Sequence, residues 1–212
     1  MRLSARPKLR PLVRLVLVLP VVAFVAACAM QPPEPETRVI GLDLWTGEPA
    51  IAGVALPQVQ AVHGTRTISG PKPWTHGKTA QSLQVYERRN EEAAGVKIQY
   101  FERRADGQAL GRVFDSRPGR ADRYFVNDAF FPLGTWARGE SRDFQMIEYA
   151  EQGPQTRIAT IKIRRLDFVF RDVPHSLRYD WILTDANGKV IYNERYVYSP
   201  GIGFASFDDR LK

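Results

Sequence analysis

Cysteine is almost missing from this chain: among 212 residues Cys28 stands alone. No internal disulfide can form, so any folded body must be held by its core rather than by cross-links. Histidine is scarce too. His63, His76 and His175 lie far apart, and neither an H-x-x-x-H spacing nor a cysteine pair supplies the converging donors that zinc requires. No serine sits in a Gly-x-Ser-x-Gly elbow. Between Gly70 and Gly77-Lys78-Thr79 stand six residues, too many for the G-x-x-x-x-G-K loop whose N–H groups cradle a phosphate. No catalytic residue, no metal site and no cofactor is therefore assigned. Outside the first residues no stretch keeps a helical period with caps.

Excess positive charge is also missing from most of the chain, although the formal net charge is +7. Arg2, Arg6, Lys8, Arg10 and Arg14 all precede residue 28, where no carboxylate occurs; beyond them 25 cations face 23 anions. A nucleic-acid partner, which needs a concentrated basic surface, is not expected. What remains, 44% apolar and 25% charged, suits one globular domain with a sizeable core.

One long apolar run exists, Leu15 to Ala27. It is shorter than the roughly 20 residues of a comfortable membrane span and contains Pro20, but it has the length of a signal-peptide core behind a basic region. It ends in Val25-Ala26-Ala27-Cys28, which resembles the bacterial lipobox. The resemblance to bacterial lipoproteins implies cleavage before Cys28, a diacylglyceryl group on its sulfur and acylation, such as by palmitate, of the new amino terminus. More than one chain makes anchoring stable, each buried CH₂ contributing about 0.8 kcal/mol. Ala29 in place of aspartate implies sorting to the outer membrane, with the domain facing the periplasm. Ala27-Cys28-Ala29 also satisfies ordinary signal peptidase, which would release the protein, and an uncleaved anchor is a further alternative. Residues 28–36, with three prolines, read as a lipidated terminus and extended tether, and 37–212 as one β-rich domain with an irregular arm over 37–79.

Within that domain the clearest signal is a hairpin from Ser176 to Tyr198. Asp185-Ala186-Asn187-Gly188-Lys189 supplies the turn. Before it Leu177, Tyr179, Trp181 and Leu183 alternate with polar residues; after it Val190, Tyr192, Tyr196 and Tyr198 continue the pattern, with Glu194 as the one discordant member. Val39 to Trp45 reads as a first strand, and Thr65 to Lys78 as a loop because Pro71 and Pro73 oppose regular pairing. Leu83 and Val85 share a face opposite Tyr86. Val96 to Glu102 alternates, and Ala105-Asp106-Gly107-Gln108 turns the chain back through Leu110 to Phe114. From Ile161 and Ile163 to Leu166, Phe168 and Phe170 the parity shifts, which predicts a β-bulge at Arg164-Arg165 keeping all five side chains inward. Gly201 to Phe207 is the expected closing strand. The sum is an all-β fold, an antiparallel sandwich or curved barrel-like sheet of about eight to ten strands.

Candidate binding residues are Phe130, Phe131 and Trp136, in a loop whose aromatics either plug the core or form a surface, and Arg164 and Arg165. With Arg88-Arg89 and Arg103-Arg104 they make three arginine doublets that would bind anionic groups if gathered on one rim, or else protect strand ends. Glu140, Asp143, Glu148, Asp167, Asp172, Asp180 and Glu194 lie on or beside strands, where two facing each other would serve a hydrolase. The nine residues Tyr196 to Phe204 resemble the closing strand of some β-rich envelope proteins, including relatives of lipoprotein carriers, and no functional residue is carried over from that resemblance. The expected function is a non-enzymatic outer-membrane lipoprotein, bound to the membrane through Cys28, whose periplasmic β-domain binds an envelope protein or an apolar ligand. A lipid or lipoprotein carrier and a glycan hydrolase are the alternatives. Replacing Cys28 by Ser is expected to move the protein from the membrane pellet to the soluble fraction. Retention in the pellet at high salt after that replacement rules lipidation out.

Overall fold

The computed structural model describes residues 33–47 and 65–211. Cys28 and the leader, the first part of the tether, residues 48–64 of the expected irregular arm with His63, and residue 212 lie outside the described residues. Strands dominate: β1 (Thr37–Ile40), β2 (Thr65–Thr75), β3 (Ser82–Glu92), β4 (Gly95–Arg103), β5 (Ala109–Ser116), β6 (Arg123–Val126), β7 (Phe131–Pro132), β8 (Gly134–Ala137), β9 (Ser141–Ala150), β10 (Gly153–Phe170), β11 (Val173–Asp185), β12 (Val190–Ser199) and β13 (Gly203–Asp209). The one helix among the described residues is α1 (Leu42–Thr46).

The fold is all-β. An 11-stranded antiparallel sheet runs β13-β12-β11-β10-β9-β6-β5-β4-β3-β2, with β7 added on β5, and β1 pairs with β8 apart from it. Neighbours in the sheet are mostly neighbours in the chain, as short hairpin connections favour. The count exceeds the expected eight to ten because β1, β7 and β8 have at most four residues each and leave no readable period. No ladder joins β2 to β13 among the described residues, so the sheet is not a closed barrel. Its two ends nevertheless meet, since the Arg66 guanidinium of β2 lies 4.3 Å from the centre of the Phe204 ring of β13.

Inside this curl Leu177, Tyr179, Trp181 and Leu183 are all buried, as their alternation predicts. The turn closes through Gly188 N–H donating to the Asp185 carbonyl at 3.0 Å, and only Gly188 takes positive φ there. The loop after β6 enters the same space. Asp128 to Leu133 are all buried, and their backbone is satisfied from several sides. Phe130 N–H donates to Leu110 O at 2.9 Å, Trp181 Nε1 to Ala129 O at 2.8 Å and Tyr179 Oη to Phe130 O at 3.0 Å. A buried connection is tolerable only when its polar groups find such partners.

Four expectations change. Leu42 to Trp45 are helical rather than extended: Gly47 at φ 80° ends α1 by donating to Asp43 O at 2.8 Å, and Trp45 caps one end of the curl against Phe101 at 5.0 Å. Residues 65–75 form a strand despite Pro71 and Pro73, because β2 is an edge with a register shift between Ser69 and Lys72. Register shifts near Arg165 confirm the bulge, but a second shift before Phe168 turns Phe168 and Phe170 away from the main core to pack with Val197, Ala205 and Ile202. The end of the tether is docked, Glu34 pairing with Arg165 and accepting from Leu166 N–H at 3.3 Å.

Phe131 is fully buried, 4.7 Å from Tyr198 and 6.0 Å from Tyr179 between ring centres. Phe131→Ala is expected to cost about 3–5 kcal/mol in urea unfolding through lost transfer energy and the cavity left behind. A loss below about 1 kcal/mol would show that the inserted loop is not part of the cooperative core.

Candidate functional site

Strand register places ions on the inner face. Antiparallel pairing sets Tyr86 opposite Phe101, Arg88 opposite Gln99 and Asn90 opposite Lys97, so β3 and β4 send the rows Tyr86-Arg88-Asn90 and Phe101-Gln99-Lys97 into the curl. Near α1 these rows are aromatic; further on they are polar. There a cavity of about 220 Å³ lies between them and β12 and β13. Phe130 and Trp181 line it from within; Tyr192, Glu194 and Tyr196 come from β12, and Phe204 and Phe207 from β13. Tyr192 and Phe207 are partly open to solvent.

Six cationic side chains reach this cavity: Arg66, Arg88, Lys97, Arg112, Arg117 and Arg123. Three have carboxylate partners. Arg112 Nε donates to Asp128 Oδ2 at 2.8 Å, Arg117 Nη2 to Asp115 Oδ2 at 2.8 Å and Arg123 Nε to Glu148 Oε1 at 2.7 Å. The other three make no ion pair among the described residues. Arg88 donates from Nε and Nη2 to the neutral Gln99 Oε1, at 3.0 and 2.6 Å, with its guanidinium over the Phe101 and Phe130 rings. Arg66 Nε donates to Asn90 Oδ1 at 3.2 Å. The Lys97 ammonium makes no hydrogen bond and no ion pair among the described residues. Arg112 Nη2 is buried and likewise unbonded. The opposing carboxylates are Glu194, which accepts from Tyr196 Oη at 2.5 Å, and the exposed Glu92.

Proton affinities record this crowding. Burial, then the neighbouring Arg88 and Arg117, hold the Lys97 ammonium down at about 7. Burial and Arg88 bring Arg66 to about 10. Burial opposes the charge on Arg112 as well, but Asp128 and Asp115 outweigh it and raise its pKa.

A second cavity, of about 360 Å³, is lined by His76, Glu102, Arg104, Asp106 and Asn127 among others. Burial raises Glu102, whereas Asp106 is lowered, against its own burial, by the Gln108 N–H and Arg104. Arg104 is committed as well, to Asp106 and to Asn127 O.

Of the candidate binding residues Phe130, Phe131, Trp136, Arg164 and Arg165, only Phe130 joins the first cavity, where Arg88 of one arginine doublet and Glu194 of the candidate carboxylates also line it. Phe131 and Trp136 are fully enclosed and offer no surface, with Trp136 Nε1 donating to Leu133 O at 2.8 Å. Arg164 pairs with Asp180 and Arg165 with Glu34, both outside the lining. The doublets do not gather on one rim. Adjacent residues of a strand point to opposite faces, so Arg88 is buried inside while Arg89 is only half-buried on the other face. Lys97, Gln99 and Arg112 escape a reading of the sequence because polar residues that alternate along a strand have the same period whether their face is solvated or enclosed. Glu194, in step with Trp181 and between Tyr192 and Tyr196, was the visible signal of a polar interior. Among the described residues no cluster of His, Cys, Asp and Glu fits a metal ion.

Comparison with protein-family models, curated proteins and solved structures finds no match. The cavity's chemistry is therefore the ground for any functional reading.

Lys97 also sets a pH dependence. Below about pH 7 it is charged both folded and unfolded, and the fold bears the full cost of burying it. Between about 7 and its ordinary 10.5 the unfolded chain holds more protons, so this group's contribution to stability rises with pH. Lys97→Met is expected to be more stable than the parent by about 1–2 kcal/mol at pH 6, a figure discounted for partial solvent access. The gain should shrink toward pH 10 in urea unfolding; a gain independent of pH would exclude a buried charge as its source.

Proposed function

We propose that the protein is a lipid-anchored envelope protein whose β-domain binds a small ligand inside the curled sheet and does not catalyse its conversion. The observation that carries this reading is the cavity, with aromatic walls, the buried Arg88 and the half-buried Arg66 and Lys97, all three without an ion pair among the described residues. Binding sites combine apolar walls with a few convergent polar groups in this way. Retaining buried charges that lack partners costs stability, and a bound molecule that supplies the partners offsets that cost. The lipobox resemblance supports the anchor, which would hold the domain at high local concentration beside other membrane components.

The volume, about 220 Å³, is below the usual range of roughly 300–1,000 Å³ for drug-sized ligands. It favours a compact molecule over a whole lipid, and the charged lining weighs against an apolar chain. A hydrolase reading draws on Glu102 and Asp106 in the second cavity, one pKa raised and the other lowered as an acid and a base require. Asp106 is occupied by Arg104 and its own turn, so binding in the first cavity is the reading we keep.

Native mass spectrometry of the full chain, extracted from its membrane with the anchor attached, is expected to show a retained small molecule. Returning that molecule to stripped protein should change tryptophan emission, and Trp181→Phe should abolish the change, since Trp181 lines the cavity and Trp45, Trp74 and Trp136 do not. Absence of a retained molecule, together with unchanged emission on adding the small-molecule fraction of the envelope, rejects the reading.

A further inference from the structure

Resting on that binding reading, we infer the ligand class: the cavity receives a compact anion, a carboxylate or phosphate monoester on a flat apolar body. Its charged head meets Arg66, Arg88, Lys97 and Arg112, and its body lies against the aromatic wall. The argument is one of unmatched charge. Arg66, Arg88 and Lys97 line one space with no ion pair among the described residues, although every carboxylate that reaches Arg112, Arg117 and Arg123 comes from behind the lining. Arg112, which lines the same volume, also has a buried Nη2 without a partner. Unsatisfied guanidinium N–H groups need an acceptor, and an anionic oxygen is the strongest available.

Glu194 and Glu92 do not cancel this set. Neither forms an ion pair with Arg66, Arg88 or Lys97 among the described residues: Glu194 accepts from the neutral Tyr196 hydroxyl, and Glu92 is exposed. They would instead repel a second negative group placed toward β12, which favours one anionic head over two. The ring wall is continuous: Trp181 lies 6.1 Å from Tyr192 in stacked geometry and 5.7 Å from Phe130, and Tyr196 lies 5.5 Å from Phe207. Such faces accept a planar body by stacking.

Anion binding should also charge Lys97. The amine is partly neutral at pH 8, and an arriving anion favours its ammonium form, so binding takes up a proton.

Titration calorimetry of the full lipidated chain in detergent tests this with phenyl phosphate, phenylacetate, inorganic phosphate, dodecyl phosphate, benzamide and benzylamine. Phenyl phosphate or phenylacetate should bind at least tenfold more tightly than benzamide, with benzylamine not binding. Inorganic phosphate should be weaker than phenyl phosphate, and dodecyl phosphate no tighter, which separates a free compact anion from a lipid headgroup with its chain. Arg88→Gln and Lys97→Met should each weaken the preferred anion at least tenfold, whereas Arg89→Gln, one residue away on the outer face, should leave it unchanged. Proton uptake at pH 8, read from the dependence of the heat on buffer ionisation, should vanish in Lys97→Met; this readout stands even if Arg88→Gln fails to fold. Equal or tighter binding of benzamide or benzylamine, or full affinity and proton uptake in Lys97→Met, overturns the proposal. Failure of all the anions also overturns it. A neutral or cationic molecule retained by the native protein would then leave the binding reading standing, and no retained molecule would sink both.

Discussion

The buried pair between Arg112 and Asp128 ties this structure together. Asp128 opens the inserted loop, and its carboxylate accepts from both the Arg112 backbone N–H and Nε, at 3.1 and 2.8 Å. The Arg112 guanidinium lies 4.6 Å from the Trp181 ring centre and 4.8 Å from that of Phe125, so one side chain joins β5, the loop, β6 and β11. Next to it Gly111 leaves room for the Asp128 carbonyl, which any Cβ there would strike. Burying two charges is costly, and the return depends on geometry and on extra hydrogen bonds. Asp128 has both, since its other oxygen accepts from Ala129 N–H at 2.9 Å.

That pair also explains why the interior is not uniformly apolar. With Asp128 holding Nε, Arg112 lines the cavity together with Arg88, Lys97 and Arg66 and keeps a buried Nη2 without a partner. The inserted loop fills one part of the curl with Phe130 and Phe131, α1 closes an end with Trp45, and the remaining volume inherits the cations. Stability and binding potential thus share an origin: the same loop that completes the core confines the unmatched charge to a small space.

Much of the architecture was legible because a strand with one dry face writes a period of two into the sequence. The row from Leu177 to Leu183, the turn at Gly188 and the bulge beside Arg165 are examples. Short or edge elements were not legible. β1, β7 and β8 are too brief to show a period, and β2 carries prolines that only an edge position tolerates. Phe168 and Phe170 share the parity of core residues, yet a second local shift in pairing sends them to the other face.

The candidate site was harder to read, for a reason that lies in long-range geometry. Period alone separates the two faces of a strand but does not say which face is enclosed once a sheet curls upon itself. Arg88, Lys97 and Gln99 obey the alternation of an ordinary solvated face; they become interior only because β12 and β13 return, more than ninety residues later, to cover them. The amino-acid order by itself determined the all-β class, the main hairpins and the lack of cross-links, all consequences of local backbone and side-chain preference. Only the tertiary structure decided that these polar rows face inward, since enclosure follows from the meeting of sheet ends distant in the chain.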